Sequence, residues 1–361
     1  PVRTPYKLLT PFHMDVAASI QAVLDEAVLR LTRSLAAKTG ARNLCLAGGV
    51  ALNCVANGKV LRDGKFDSIW IQPAAGDAGG AVGSALAAYH QFKGQPRSVG
   101  NTDGMSGAFL GPEFSQGEIE KRLAATGARF TVLDEAAMVE TTARALADQL
   151  AVGWFQGRME FGPRALGSRS ILGDPRNPAM QSVLNLKIKQ RESFRPFAPS
   201  VLKERAAEYF ALPAEAESPY MLLVASLREQ HRTAISGADR ATMTTDPDLR
   251  RRVNIVRSTL PAITHVDYSA RLQIVDEERH GRFYRLLKAF ERTTGCPVLV
   301  NTSFNVRGEP IVCSPVEALR CFLATDMDAL VLEDFVLRKE QMKGALSAAE
   351  RAQHLAAFEA D

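Results

Sequence analysis

Asn43-Leu-Cys-Leu-Ala-Gly-Gly-Val-Ala-Leu-Asn53 and Ser68-Ile-Trp-Ile-Gln-Pro-Ala-Ala-Gly-Asp-Ala-Gly-Gly80 share one pattern: a short apolar run breaks into glycines and then into a helix-forming stretch. An apolar run of about four residues bounded by glycine reads as a buried, parallel-type strand, and the stretch after it as a helix. Upstream, Ile20, Leu24, Ala27, Leu31 and Leu35 recur at helical spacing within Asp15–Lys38, and Gly40 stands where that helix would stop. Helix, strand, helix, strand and helix in this order specify an α/β layer. Its two strand-to-helix junctions carry Gly48, Gly49 and Asn53, then Gly76, Asp77 and Gly80. Glycine there lets a ligand approach the backbone, and the helix N-terminal amides can hold a phosphate. Tight turns that need glycine for geometry alone would look the same. Neither a Walker A lysine nor GxGxxG occurs, which disfavours ordinary P-loop and Rossmann readings.

Working outward, Gln95–Gly107 is aperiodic and rich in Gly, Ser, Asn and Asp, so it reads as a linker. Ser115 with Glu118 makes a capping box for a helix to about Thr126. The units are therefore residues 1–95, a linker and helix over 96–130, a second domain over 131–345, and a helical tail over 346–361. The second domain is predicted to be α+β with a twisted mixed sheet. Its strands are placed at Ala151–Gln156, Ser170–Leu172, Ala198–Leu202, Met221–Ala225, Ala262–His265, Leu272–Val275, Pro297–Asn301 and Asp328–Leu332. Helices are expected at Pro178–Lys189, Phe283–Thr293 and Pro315–Leu323. Arg228–Arg257 is polar and aperiodic, a surface excursion suited to a lid.

Composition narrows the classes. The 361 residues are 46% hydrophobic and 23% charged, as expected for a globular chain rather than a disordered or coiled-coil one. Lys plus Arg number 44 against 40 acids, and a net charge of +4 is too mild to announce nucleic acid as a partner. No run approaches the ~18 apolar residues of a membrane span. Five scattered cysteines suit reduced, core-packed residues of a cytoplasmic protein better than a disulfide framework or a zinc site.

Cations gather in the second domain. Gly157-Arg-Met-Glu-Phe-Gly-Pro-Arg-Ala-Leu-Gly-Ser-Arg169 holds Arg158, Arg164 and Arg169, and Lys187-Ile-Lys-Gln-Arg-Glu-Ser-Phe-Arg-Pro196 holds Lys187, Lys189, Arg191 and Arg195. A solvated basic face is the plain alternative. Against it, the second run is interleaved with Phe194, Pro196 and Phe197, expected to be buried, and arginine forks match phosphate oxygens. Spacing of two places Lys189 and Arg191 on one face of an extended segment. Further on, His265-Val-Asp-Tyr-Ser-Ala-Arg271 and Asn301-Thr-Ser-Phe-Asn305 lie beside strands. His265 could equally be a core histidine, and Asn301 and Asn305 could cap turns. No Ser/His/Asp order, metal-spaced group or HxxxH pair occurs, so the pattern suits anion activation better than a protein nucleophile.

These segments resemble the O-carbamoyltransferases of the nodulation-protein and antibiotic-tailoring type. Leu46–Cys54, Gly153–Gly167, Lys187–Pro199, Pro261–Gln273 and Asn301–Val312 carry the resemblance, which covers nearly the whole chain. It implies a fold in which the C-terminal lobe of an actin-like ATPase-type domain, similar to the tRNA threonylcarbamoyl transferases, precedes a YrdC-like domain. Lys189-x-Arg191-x-x-x-Arg195-Pro196 fits the YrdC-like pattern, and Thr302-Ser-Phe-Asn-x-x-Gly308-Glu-Pro310 departs from it at Phe304 and Arg307. On the resemblance, ATP with Mg²⁺ and carbamoyl phosphate would form carbamoyl-adenylate, and the carbamoyl group would pass to a hydroxyl of a sugar, macrolide or oligosaccharide. Lys189, Arg191 and Arg195 would clamp phosphate, with Arg164, Arg169, Arg271 and Lys187 supporting. His265, Asn301, Thr302, Ser303 and Asn305 would orient the carbamoyl or adenylate group.

Iron(II) or another divalent metal serves the family. Here Asp77 matches one ligand and the HxxxH ligands are missing. Pro1 in place of Met, with a layer of few strands, implies a member lacking its N-terminal half. A homodimer is compatible with this reading, and no membrane or nucleic-acid partner is expected. The competing readings are a threonylcarbamoyl-adenylate synthase of tRNA modification and a non-catalytic nucleotide- or RNA-binding module.

Overall fold

The computed structural model describes residues 9–100, 103–213, 216–342 and 346–358. Helix α1 (Pro11–Thr39) opens on a proline, whose fixed φ suits a first turn, and stops at Gly40 in the left-handed conformation (φ 64°). Strands β1 (Asn43–Leu46) and β2 (Ser68–Ile71) pair in parallel; α2 (Cys54–Asp63) connects them and α3 (Asp77–Ala87) follows. Asn53 caps α2, its side-chain oxygen accepting from the Ala56 amide at 3.0 Å. The apolar spacing on α1 does not mark its core face. Asp25 and Thr32 are its buried side chains, while Ile20, Leu31 and Leu35 are exposed. A layer of two strands offers α1 only the small cluster of Leu44, Val60 and Phe66 to pack on.

The larger sheet is mixed, as expected, and has ten strands. In chain order they are β3 (Thr131–Val132), β4 (Val152–Phe155), β5 (Arg169–Gly173), β6 (Ala198–Leu202), β7 (Phe210–Ala211), β8 (Leu223–Leu227), β9 (Ser269–Val275), β10 (Val298–Ser303), β11 (Ala329–Leu332) and β12 (Phe335–Arg338). Across the sheet the order is β3-β12-β11-β4-β5-β10-β6-β9-β8-β7. The strands β4 to β6 and β9 to β11 are nearly all buried, and helices Glu135–Ala147 and Arg282–Thr294 pack against one another within the same core. Trp154, Phe155, Phe290, Phe304 and Phe322 fill it.

Pairing fixes direction, and direction gathers the loops. β5 and β6 each run antiparallel to β10, β4 runs antiparallel to β5, and β9 runs parallel to β6. The C-terminal ends of β4 and β10 and the N-terminal ends of β5, β6 and β9 therefore share one end of the sheet. Every basic or polar segment read from the second domain enters or leaves there: 156–168, 187–197, 265–268 and 304–309.

Several expectations are corrected. Ala262–His265 is a turn, not a strand; the Thr264 hydroxyl is bound to Ser258 Oγ at 2.8 Å and to the Leu260 carbonyl at 2.8 Å. The helix expected over Pro178–Lys189 divides into Met180–Val183 and a wide π turn, Leu184–Ile188. Asn185 sits in that turn and donates to the Ser193 and Arg195 carbonyls at 3.2 and 2.8 Å. The excursion 228–257 holds two short helices, Gly237–Thr245 and Leu249–Val253, neither with a buried residue, which is why it shows no period. All five cysteines are free, and only Cys296 and Cys321 are buried. No helix among the described residues is long and apolar enough to cross a membrane.

The N-terminal lobe is fastened to the large sheet by polar contacts. Asn57 Nδ2 donates to the carbonyls of Ala51 and Leu222 at 2.8 and 3.0 Å, and Arg62 donates to the Val224 carbonyl at 3.0 Å. Gly58 lets the helix come this close, since a Cβ there would lie 2.6 Å from the Val224 oxygen.

One buried titratable group makes the fold pH-sensitive. His280, just after β9, accepts from the Asp276 amide at 3.2 Å, and burial pushes its ring down to about 4. An unfolded histidine binds its proton near 6.5, so between these values the unfolded state holds more protons and stability rises with pH. Wild-type protein should lose about 2 kcal/mol as pH falls from 6.5 towards 4, and His280→Gln should flatten that slope. Denaturant midpoints measured across this range check it; equal slopes in both proteins would refute it.

Candidate functional site

Lys189 closes the π turn and is 3% exposed. The next residue, Gln190, takes a positive φ of 49°, so the segment is bent, and Lys189 and Arg191 do not share a face by extended alternation. The Lys189 ammonium donates to Ser303 Oγ at 3.0 Å, Asn305 Oδ1 at 2.6 Å, the Asn305 carbonyl at 3.0 Å and the Ser303 carbonyl. Its three hydrogens are thus spent on the turn that leaves β10. Burial first, then Arg191, pushes the ammonium down to about 7. Ser303 Oγ also donates to Asn305 Oδ1 at 2.7 Å, and the Asn305 amide donates to the Glu309 carbonyl at 2.6 Å. Lys189, Ser303 and Asn305 form one knot. Thr302 lies beside it, half-buried.

Arg164, Arg191 and Arg271 form the second gathering. Arg191 Nε donates to Asn185 Oδ1 at 2.7 Å, and its guanidinium lies 5.1 Å from the centre of the Phe197 ring. Arg164 reaches the Leu52 carbonyl at 3.4 Å, and its buried Nε has no partner. Arg271 stands on β9; burial and then Arg164, with a smaller share from Arg191, push it down to about 10. Burial and Arg195 do the same to Arg191. None of the three is ion-paired to a carboxylate among the described residues. Glu192, the acid next to Arg191, pairs with Arg195 at 3.0 Å. His265 adjoins this group: Asp267 holds Ser269 Oγ at 2.6 Å, Ser269 Oγ lies 3.0 Å from His265 Nδ1, and burial lowers the ring's proton affinity.

The glycine-rich junctions of the N-terminal lobe abut the same place. Leu52 touches Arg164, and a Cβ on Gly162 would lie 3.0 Å from the Pro73 carbonyl oxygen. Gly48 (φ 90°) and Gly49 open the turn to Leu52, and Gly76 caps α3. Gly48, Gly49 and Gly80 have open space around them, whereas at Gly79 a Cβ would collide with the Ala74 carbonyl. Asn53 is occupied as a cap and by Gln21 at 3.0 Å.

Other candidates stand apart. Arg169 is fully buried; it donates to the carbonyls of Gln156, Gly157, Ser168 and Pro112 at 3.0–3.2 Å and stacks 3.5 Å over Phe155. Lys187 and Arg195 are exposed, and so is Pro196, contrary to the expectation that it is buried beside Phe197. Asn301 is buried in a network that crosses three strands, donating to Ser200 Oγ at 3.1 Å and Gln273 Oε1 at 2.9 Å. Gln273 in turn donates to the Leu166 carbonyl at 2.8 Å. Asp77 is exposed on the first turn of α3, and no group of three His, Cys, Asp or Glu that could hold a metal occurs among the described residues. Those residues do not make an iron site.

Two important residues are singled out by no motif. Glu160 is buried, and one of its oxygens accepts from the amides of Leu166, Ser168 and Arg169 at 2.7, 2.8 and 3.3 Å, which shapes the Arg164 loop. Asn185, fully buried, orients Arg191. The signal for Asn185 was a polar residue among the apolar positions Leu184 and Ile188.

The family model described as carbamoyltransferase C-terminus matches residues 143–339, and that described as carbamoyltransferase N-terminus matches residues 5–86. The chain belongs to the carbamoyltransferase family. It is 56% identical over 341 residues to an uncharacterized protein of Synechocystis sp., covering 94% of this chain and 54% of that one. It is also 40% identical over 332 residues to the nodulation protein NolO of Bradyrhizobium diazoefficiens, covering 91% and 55%. This carbamoyltransferase-family chain thus spans about half the length of the relatives it matches. A crystal structure of full-length HypF in the phosphate- and nucleotide-bound form aligns with 58% of the chain and 23% of its own, at 16% identity and a TM-score of 0.35, too distant to carry an argument.

Three crowded cations should trade stability for binding. Arg271→Met removes repulsion from the group, so it should leave the melting temperature unchanged or raised at low salt. It should weaken pyrophosphate binding about tenfold or more, since hydrogen bonds to charged groups are worth about 1.5–3 kcal/mol. Calorimetric titration and thermal melts of both proteins check this. Undiminished binding would place the anion site elsewhere.

Proposed function

We propose that the chain activates carbamoyl phosphate with ATP and Mg²⁺ as carbamoyl-adenylate and passes the carbamoyl group to a hydroxyl of a small-molecule or sugar acceptor. The observation that carries this reading is the group Arg164, Arg191 and Arg271: three guanidiniums from three segments, partly desolvated and without a paired carboxylate among the described residues. Such a group is costly unless an anion completes it.

The chemistry asks for that environment. Water releases phosphate from carbamoyl phosphate and leaves carbamate. A carbamate oxygen then attacks the α-phosphorus of ATP, the bond to the β-phosphate breaks, and pyrophosphate leaves. Both reactants are anions, so the approach is repulsive until cations neutralise it, and positioning with electrostatic stabilisation supplies most of the rate. Arg164, Arg191 and Arg271 take the phosphate oxygens. Lys189 acts at one remove, holding Ser303 and Asn305 in place to orient the carbamoyl group. In the transfer step an acceptor hydroxyl attacks the carbamoyl carbon, AMP leaves, and the hydroxyl proton goes to solvent or a base. Asp77 is the one carboxylate in line with a family metal ligand.

The full chain, given ATP, Mg²⁺ and carbamoyl phosphate, should release pyrophosphate only when carbamoyl phosphate is present. Arg191→Lys keeps the charge but loses the fork, and should lower that rate about tenfold. If the chain binds ATP yet releases none, or if threonine with bicarbonate replaces carbamoyl phosphate, the reading is wrong.

A further inference from the structure

The turn that Lys189 grips from the inside is covered on its outer side by the C-terminal helix Ala348–Ala356, which lies beyond the segment matched by the family model. Two contacts join this segment to the turn, and others anchor it nearby. Gly308 takes φ 79°, and a Cβ there would collide with the Phe358 carbonyl oxygen. His354 Nε2, buried and without a hydrogen-bond partner, stands 3.6 Å from Glu309 Oε1. The other Glu309 oxygen accepts from the Val306 amide at 2.8 Å, while the Glu309 carbonyl accepts from Asn305. Arg351 pairs with Asp326 at 2.6 Å, and the Asp326 amide reaches the Lys187 carbonyl at 3.4 Å. Leu355 and Phe358 pack on the main core.

We infer that this helix and the turn just after it form a strap whose residues His354 and Phe358 position the Ser303–Asn305 turn, through Glu309 and Gly308, for the activation reaction. The inference rests on the activity proposed above. The Lys189 ammonium reaches only residues 303 and 305, and its carbonyl holds only the Arg307 amide at 3.0 Å, so neither group reaches the Glu309 side chain that fixes Val306. Glu309 is the part that both sides share: its backbone holds Asn305, its carboxylate holds Val306, and His354 faces that carboxylate. The strap touches none of Arg164, Arg191 and Arg271. Loosening it therefore disturbs orientation of the reacting group and leaves phosphate capture intact, so its effect belongs in kcat and not in KM.

The test compares full-length wild type, His354→Ala and His354→Gln. Rates of carbamoyl-phosphate-dependent pyrophosphate release give kcat and KM, and amide exchange is followed at Val306 and along β10. His354→Ala should lower kcat about tenfold, with both KM values within twofold, and should speed exchange at Val306 but not in β10. His354→Gln, whose amide can donate to Glu309, should recover most of the loss. Unchanged kcat in His354→Ala, a loss carried by KM, or no rescue by glutamine overturns the strap while leaving the proposed activity standing. If wild type releases no pyrophosphate, the activity falls first, and the strap is then judged by Val306 exchange alone, which must rise in His354→Ala for it to survive.

Discussion

Like charges held close in a partly desolvated setting repel, and Arg164, Arg191 and Arg271 are held so. Each is restrained by something that carries no charge or carries it elsewhere. Arg164 rides on a loop wound around Glu160, Arg191 is tied to Asn185 and backed by Phe197, and Arg271 is fixed by the register of β9 against β8. A carboxylate beside them would relieve the strain and fill the place of a ligand. Glu192 pairs with Arg195 and offsets only part of the repulsion at Arg191, and one Glu160 oxygen is taken by backbone amides.

The sheet makes this possible by presenting its loops at a single end while its flanks are sealed by core. Polar side chains that do reach inward are tied across strands, as Asn301, Ser200 and Gln273 are, so the network helps set register, although the buried Asn301 Oδ1 has no partner in it. Through the Leu166 carbonyl, Gln273 carries that rigidity into the Arg164 loop. Lys189 does the equivalent for the turn after β10. An ammonium surrounded by four oxygens of one turn organises it more strictly than a hydrophobic contact could, because each donor direction is spoken for.

Much of this was legible in the sequence where period and composition carry the signal. Pattern marks Ala198–Leu202 to its ends and the helix Arg282–Thr294 to within one residue at each end, the strand being fully buried and the helix strongly amphipathic. Two-residue strands such as β3 and β7 leave no pattern to read, and β12 pairs through an antiparallel turn that lacks glycine. The segment Lys187–Pro196 misled for a different reason. Its geometry is dictated by Asn185 and by the positive φ of Gln190, tertiary choices that local spacing does not encode. The site residues were recognisable as residue types within motifs, but which cations face a ligand and which, like Arg169, are consumed by the backbone depends on packing. On α1, regular apolar spacing pointed to a core that two strands are too few to supply.

The seam between the lobes runs past the cations, since the Leu52 carbonyl and Cys54 of the N-terminal lobe face Arg164 and Arg271. The strength of a charge interaction scales inversely with the local dielectric constant, about fourfold lower near a protein surface than in bulk water. A closed seam limits water at the three half-buried guanidiniums and, on the activity proposed, would tighten their hold on an anion. Admitting water between Leu52 and the 161–164 loop would screen them and weaken that hold. On the activity proposed here, hydration of that lobe boundary would govern how firmly an anion is held, and the contacts of Asn57, Gly58 and Arg62 with residues 222–224 would govern how readily the boundary wets.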